Sequence, residues 1–424
     1  MINLYRILTN FIYPFLIIII YLRKILKKED ELRYREKIFS NFFDCKRNLN
    51  KKLVWFHAAS IGEVQSIFPV IDELKKKNKN LEFLITTVTV SSGNLVQQKI
   101  NSTKDIIHRY FPVDINFLIK EFLNKWKPSL VLFVDSEVWP NLIFEIKKRN
   151  IPMILINGRI TKKTFSKWML ISEFAKKIFE KFDLSLASSK ESEKNLEKLG
   201  VKNLKYIGNI KFAVKIKKDI LLNKNFEFLN NKKFWCAAST HKGEEEMCLK
   251  THIQIKKRYK EIITVIVPRH INRSKEIFHL CNKYFLSSQI LSNGELIEKN
   301  KEIIIVNSFG ALLKLYKLSK CVFIGKSTLK VLEHAGGQNP IEAAKLGCKI
   351  YHGPYNYNFK EIYELLGSLK ISEKINNEND LANKIINDLD IIKKEHNLTI
   401  NNIDELGQKI LDKSITEINK FISQ

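Results

Sequence analysis

From Leu53 onward, short apolar runs of strand length alternate with amphipathic segments, and the series occurs twice. The first set is LVWFHA, LEFLITTV (Leu81 to Val88), LVLFVD (Leu130 to Asp135), MILIN (Met153 to Asn157) and LSLAS (Leu184 to Ser188). After the first run, Val64, Ile67, Phe68, Ile71 and Leu74 recur at helical spacing. Apolar strands joined by amphipathic helices require a parallel sheet covered on both faces. Near Phe212 the chain becomes Lys-rich and weakly patterned to about Glu227. A second set then begins: FWCAAS (Phe234 to Ser239), IITVIVP (Ile262 to Pro268), EIIIVN (Glu302 to Asn307), CVFIG (Cys321 to Gly325) and CKIYHG (Cys348 to Gly353). At 424 residues the chain exceeds the size at which single cores stop growing. Two Rossmann-like α/β domains are expected, with an apolar segment over residues 1–30, a first domain over 31–212 and a second over 213–424.

The apolar segment runs from Ile7 to Leu22 and is followed at once by Arg23, Lys24, Lys27 and Lys28. As a helix it reaches roughly 24 Å, short of the roughly 30 Å hydrocarbon core, so a marginal span, a deeply inserted anchor and a buried first helix all remain open. The flank is basic, unlike the small-residue site of a cleaved signal peptide. Basic residues after the apolar run put the rest of the chain on the cytoplasmic side. The net charge of +27 points to a polyanionic partner: an anionic membrane surface, phosphorylated substrates or nucleic acid. Six cysteines form no CxxC pair and no Cys/His cluster, so no metal site is expected.

Ligands of doubly wound sheets bind beyond the carboxyl ends of the strands. In the first domain the polar residues there are HAASIGE (His57 to Glu63), Asp135 and Glu137 in FVDSEVWPN, Asn157 and Arg159 in INGRI, and Asn209 and Lys211 in YIGNIKF. Glu63 falls in the first turn of a helix, where two readings are open. Ser60 and Glu63 have the S-x-x-E spacing of a capping box, and a carboxylate at a strand-to-helix turn is also where such folds keep their chemistry.

In the second domain the corresponding segments are STHKGEEE (Ser239 to Glu246), VPRH (Val267 to His270), NSFGAL (Asn307 to Leu312) and HAGGQNPIEAA (His334 to Ala344). Gly336 and Gly337 permit close backbone approach, Pro340 suits a helix start, and Glu342 lies one turn inside. That pattern fits a phosphate and ribose site as well as a plain capped helix. Arg269, directly after a strand, can neutralise a phosphate or stand solvated. His57, His241 and His270 lack metal-ligand spacing, and neither GxGxxG nor a Walker A sequence is present.

Taken in order, HAASIGE, TTVTVSSG, the WPN segment at Asp135 to Asn141, INGRI, GNIKF, STHKGEEE, VPRH, GGQNPIEAA and HGPYNYNF resemble the family of 3-deoxy-D-manno-octulosonic acid (Kdo) transferases, over nearly the whole chain. The resemblance implies a GT-B glycosyltransferase: two Rossmann-like domains facing a cleft, with an N-terminal hydrophobic anchor helix, working without a cofactor or metal. It implies inverting transfer of Kdo from CMP-Kdo to the tetraacylated lipid A precursor at the inner membrane. Glu63 is then the general base, and Asp135 and Lys211 support the transition state. Donor contacts fall on Pro268, Arg269, Phe309, Gly310, Ala311, Asn339, Pro340, Ile341 and Glu342. The chain departs from the family at Asp135, where Glu is usual, at Ala311, at Lys326 and at Gln338.

Two rival readings make different demands. Another GT-B enzyme, such as a sugar-nucleotide epimerase, would consume a UDP-sugar rather than CMP-Kdo. A membrane-attached nucleic-acid-binding protein would interleave aromatic residues with a basic patch for stacking. Here the aromatics lie mostly in strand cores and in the WPN segment, so no nucleic acid partner is expected.

Overall fold

The computed structural model describes all residues except 45, 102, 104, 217–223, 309, 391–396 and 423–424, and omits the side chains of 397–400. Helix α1 (Ile2–Ile25) precedes strand β1 (Lys52–His57) and helix α2 (Ile61–Lys77). The first sheet is completed by β2 (Leu81–Thr87), β3 (Ile106–Tyr110), β4 (Leu130–Val134), β5 (Met153–Gly158), β6 (Leu184–Ala187) and β7 (Leu204–Tyr206). The second holds β8 (Phe234–Thr240), β9 (Ile263–Pro268), β10 (Ser288–Leu291), β11 (Ile303–Val306), β12 (Cys321–Ile324), β13 (Lys349–His352) and β14 (Ser372–Lys374). Their orders are β3-β2-β1-β4-β5-β6-β7 and β10-β11-β9-β8-β12-β13-β14. Every pairing within them is parallel.

Helices cover both faces of each sheet, so the central strands are apolar on both sides. In the first unit Trp55, Phe133, Leu155 and Phe179 are buried in one cluster; in the second, Trp235, Ile266, Ile305 and Phe323 form another. The strand order switches direction between β1 and β4 in the first sheet and between β8 and β12 in the second. At such a switch point the two connections leave in opposite directions and open a crevice at the carboxyl ends.

The chain divides into Met1–Lys215 together with the residues from Leu406 onward, and Ile216–Glu405. The division lies close to the expected boundary at 212. It corrects the expectation that the second domain runs to the C-terminus. The helix Asn397–Ile422 passes through the division, and its later turns join the first unit. Gly407 lies so close to Phe212 that a Cβ would stand 2.1 Å from its carbonyl oxygen. Lys205 pairs with Glu417 at 2.8 Å, and Lys52 donates to the Ile422 carbonyl at 2.8 Å.

Helix α1, at 24 residues, is longer than the apolar run suggests. Its early turns carry polar groups that bond to the first unit. Tyr5 donates to Asp114 at 3.0 Å, Arg6 pairs with Glu145 at 2.9 Å, and Asn141 donates to Thr9 at 3.3 Å. Only Ile20 of α1 is buried, so the reading as a buried first helix does not hold.

Candidate functional site

In the first unit the strand register fixes the site. His57 pairs with Thr86 on one side and Phe133 on the other, and Val134 pairs with Ile156. The residues that follow His57 and Val134 therefore emerge together at the β1/β4 switch point. Asp135 takes φ +55° and Asn157 φ +53°, a left-handed conformation that Asp and Asn tolerate better than most residues. Asp135 thus turns the chain directly after β4, while Asn157 sits at an irregularity within the last residues of β5.

Glu63 opens α2, capped by Ser60, whose hydroxyl accepts from the Glu63 amide at 3.4 Å. The Glu63 carboxylate accepts from the Ala59 amide at 2.8 Å and from the Ser60 hydroxyl at 2.6 Å. The Ser60 half of the expected capping box is thus formed, while the Glu63 carboxylate takes the Ala59 amide rather than that of Ser60. Burial raises the Glu63 carboxyl, the Asp135 charge raises it further and Glu137 adds to this; the Ser60 and Ala59 hydrogen bonds offset part of the rise, leaving it at about 7.

Asp135 is held from both sides. Lys211 Nζ lies 2.9 Å from Oδ2, and the Asn157 amide donates to Oδ1. Asn157 in turn accepts from the Ile210 amide at 2.9 Å, which fixes the turn carrying Lys211. That turn abuts α2: a Cβ on Gly62 would meet Lys211 Cε at 4.0 Å. Glu63, Asp135 and Lys211 are thereby brought into one cluster within the first unit.

Glu137 belongs to a different network. Its Oε2 lies 3.2 Å from His57 Nε2 and accepts from Trp139 Nε1 at 3.0 Å. Burial alone would raise the Glu137 carboxyl, but the hydrogen bond and charge interaction with His57, together with the Trp139 bond, hold it below its ordinary value. The His57 ring is fully buried, stacks on Phe111 at 4.0 Å, and bonds to Thr86 through Nδ1. It is a satisfied histidine of the core.

In the second unit the switch point between β8 and β12 is closed by Glu244, a buried carboxylate whose role sequence reasoning did not assign. It accepts from the amides of Lys326 at 2.6 Å, Ser327 at 2.8 Å, Thr328 at 3.1 Å and His241 at 3.0 Å, and from the Thr328 hydroxyl at 3.0 Å. Its only sequence signal is a glutamate directly after Gly243, where a helix begins. The loop it holds packs tightly on its neighbours: a Cβ on Gly353 would stand 2.1 Å from the Ser327 carbonyl oxygen.

Around that loop lie the remaining expected positions. Pro268 ends β9 and is buried, while Arg269 follows it with an exposed side chain, its amide bonded to the Thr240 carbonyl at 3.0 Å. Asn339 accepts from the Ile341 amide at 3.1 Å, and Pro340 stands at the N-cap of the short helix Ile341–Lys345. Burial raises the Glu342 carboxyl, which takes no hydrogen bond from the described residues. Gly310 and Ala311 line a cavity of about 370 Å³ together with Lys224 and Lys314. Phe309 lies outside the described residues.

Two doubly wound units, each with its polar cluster beyond the carboxyl ends of a parallel sheet, define a GT-B glycosyltransferase architecture. A glycosyltransferase from Rickettsia africae ESF-5 superposes with a TM-score of 0.58 at 15% identity, covering 88% of this chain and 99% of that one. A UDP-GlcNAc 2-epimerase from Neisseria meningitidis, bound to UDP-GlcNAc, gives 0.56 at 16% identity, covering 87% and 98%. At those identities the likeness is one of fold. The sequence is more specific: a family model described as 3-deoxy-D-manno-octulosonic-acid transferase (kdotransferase) matches residues 33–214. The 3-deoxy-D-manno-octulosonic acid transferase of Rickettsia bellii (strain RML369-C) is 31% identical, covering 99% of this chain and 100% of that protein. That of Haemophilus influenzae is 29% identical over 78% of each. The chain belongs to the 3-deoxy-D-manno-octulosonic acid transferase family.

Proposed function

We propose that this enzyme transfers Kdo from CMP-Kdo to the tetraacylated lipid A precursor in lipopolysaccharide biosynthesis, with inversion and release of CMP. A hydroxyl oxygen of the acceptor forms the new bond to the anomeric carbon of Kdo. The bond from that carbon to the CMP phosphate oxygen breaks, and CMP leaves with the bonding pair. Glu63 takes the hydroxyl proton. Asp135 and Lys211 stabilise the transition state, while Pro268, Arg269, Gly310, Ala311 and the segment Asn339 to Glu342 hold the donor; Phe309 belongs to the same motif.

The observation that carries this reading is the cluster of Glu63, Asp135 and Lys211 at the end of the first sheet in a chain of the Kdo transferase family, where burial and the Asp135 charge raise the Glu63 carboxyl. A general base works best with a pKa near the operating pH, and contributes typically 10²–10⁴-fold. A cationic Lys211 suits a donor bearing a carboxylate and a phosphate. Membrane association at the cytoplasmic face of the inner membrane is supported by the apolar α1, by the basic residues that follow it and by the net charge of +27.

The test is Glu63→Gln, which keeps size and removes the base. Product mass after incubation with CMP-Kdo and lipid A precursor should show transfer reduced at least roughly 100-fold with the fold intact. Retained transfer would remove Glu63 from the mechanism. The same mass counts the Kdo residues added.

A further inference from the structure

Three buried carboxylates with structural roles are bonded through both oxygens. Asp114 takes the Leu142 amide on Oδ1, and the Asn141 amide and the Tyr5 hydroxyl on Oδ2. Glu145 takes Arg6 on Oε1 and Arg149 on Oε2, and Glu244 spreads its five donors over both oxygens. Burial of a charge demands that its lone pairs be used in this way. Glu137 departs from the pattern. Its Oε2 is held 3.2 Å from His57 Nε2 and 3.0 Å from Trp139 Nε1, whereas Oε1 takes no hydrogen bond from the described residues and is not sealed off from solvent. The side chain is nevertheless only 19% exposed.

What stands behind Oε2 is fixed. An ionised carboxylate can only accept, so His57 donates through Nε2. Nδ1 of the same ring lies 2.9 Å from the Thr86 hydroxyl, which accepts from Trp55 Nε1 at 2.9 Å. His57, Thr86 and Trp55 are fully buried, so this row sets the direction of Glu137 as outer partners orient a ligating side chain. Against the effect of burial, the His57 and Trp139 bonds keep the Glu137 carboxyl below its ordinary value, so it stays ionised and does not compete for the proton that Glu63 takes. Glu137 follows Asp135 by two positions beyond the end of β4, and its charge acts on Glu63. The free oxygen therefore belongs to the cluster of Glu63, Asp135 and Lys211.

We propose that Glu137 binds substrate: its free oxygen accepts a hydroxyl of a sugar held beside Glu63, with His57 and Trp139 as the positioning residues behind it. This goes beyond the transfer proposed above and rests on it. The charges of the site select the ligand group. Glu63, Asp135 and Glu137 share a cluster in which Lys211 already pairs with Asp135. A phosphate or carboxylate at Oε1 would meet like charge, and an apolar group would leave the ionised oxygen unpaired, so a neutral hydroxyl is the group that fits. Both the Kdo moiety of the donor and the sugar of the acceptor carry such hydroxyls. From either source the bond fixes a sugar relative to Glu63, which is the orientation that attack on the anomeric carbon requires.

The test is Glu137→Gln in the full chain. The variant keeps the size, leaves an amide oxygen to accept from His57 and Trp139, and turns an NH2 donor toward the sugar where an acceptor stood. KM should rise roughly 10–100-fold for one of the two reactants, by more than kcat falls, with thermal unfolding within about 2 °C of the wild type. A rise for CMP-Kdo assigns the hydroxyl to Kdo, and a rise for the lipid A precursor assigns it to the acceptor. Among single-deoxy analogues of that reactant, one should bring the wild type down to the level of the variant and leave the variant where it was. Trp139→Phe keeps an aromatic ring, removes one of the two clamps and should raise the same KM by less. A folded Glu137→Gln with both KM values unchanged, or analogues that all weaken both enzymes alike, would overturn the proposal. So would lost stability with kcat reduced and KM untouched, the mark of a structural carboxylate. A wild-type chain that releases no CMP from CMP-Kdo would instead remove the transferase reading, and this one with it.

Discussion

Lys211 and Asp135, 76 positions apart, meet at 2.9 Å beside the helix turn that carries Glu63. Both side chains are largely buried, at 16% and 13% exposure, so the pair is a fixed part of the sheet end rather than a surface ion pair. Asp135 is one methylene shorter than a glutamate would be. Its left-handed backbone and the Asn157 bond set where the shorter carboxylate sits.

Removal of that cation should therefore cost stability as well as catalysis. In Lys211→Met, Asp135 keeps Asn157 but loses its counter-charge in a half-dry site. A loss of about 1–3 kcal/mol is expected by chemical denaturation, with Kdo transfer down roughly 100-fold or more. Lys211→Arg should restore much of the stability. If Lys211→Met unfolded and turned over like the wild type, the pair would have neither role.

The raised Glu63 carboxyl sets the pH dependence. A base is active only when deprotonated, so transfer should rise with pH and reach half its plateau near 7, from the value of about 7 for Glu63. After burial, the Asp135 charge is the next cause of that rise. Asp135→Asn should then move the acid limb of the pH–rate profile to lower pH, even though the plateau falls. A limb that stays in place, or moves up, would detach Asp135 from Glu63.

What the sequence made legible follows from which strands are central. The ten apolar runs each overlap one of the inner strands. The four strands absent from that reading, β3, β7, β10 and β14, are the sheet edges. An edge strand has one neighbour and a partly wet face, so its residues need not be continuously apolar: β3 is IIHRY and β14 is SEK. The return of the C-terminal helix to the first unit was illegible for a related reason. An amphipathic face requires cover but does not say which core supplies it. At the site, the segments were legible but the pairings were not: nothing in the spacing of Asp135 and Glu137 indicates that the first bonds to Lys211 and the second to His57.

Glu244 gives the second unit its own test. Five donors converge on one buried carboxylate, and Gln would present an amide group to some of them. Glu244→Gln should destabilise the second unit by about 3–5 kcal/mol, visible as an earlier transition in thermal unfolding. Because Glu244 holds the loop after β12, CMP binding by calorimetry should weaken in the protein that remains folded. Wild-type stability in this variant would contradict the structural role.

Glu342 should show the opposite sign. Burial raises its carboxyl from 4.5 and no described hydrogen bond compensates, so the ionised group destabilises the unit at neutral pH. A carboxyl with a raised folded value contributes stability that is fully present below its unfolded value and lost as pH rises through the folded one. Glu342→Gln should therefore raise the Tm by roughly 2 °C at neutral pH, and the gap should close below about 4.5. The same change removes a strong acceptor for donor hydroxyls, so CMP affinity should fall roughly tenfold. A gain in stability with a loss of affinity would mark Glu342 as a residue kept for its ligand. Unchanged CMP binding would leave it a capped helix after a glycine turn.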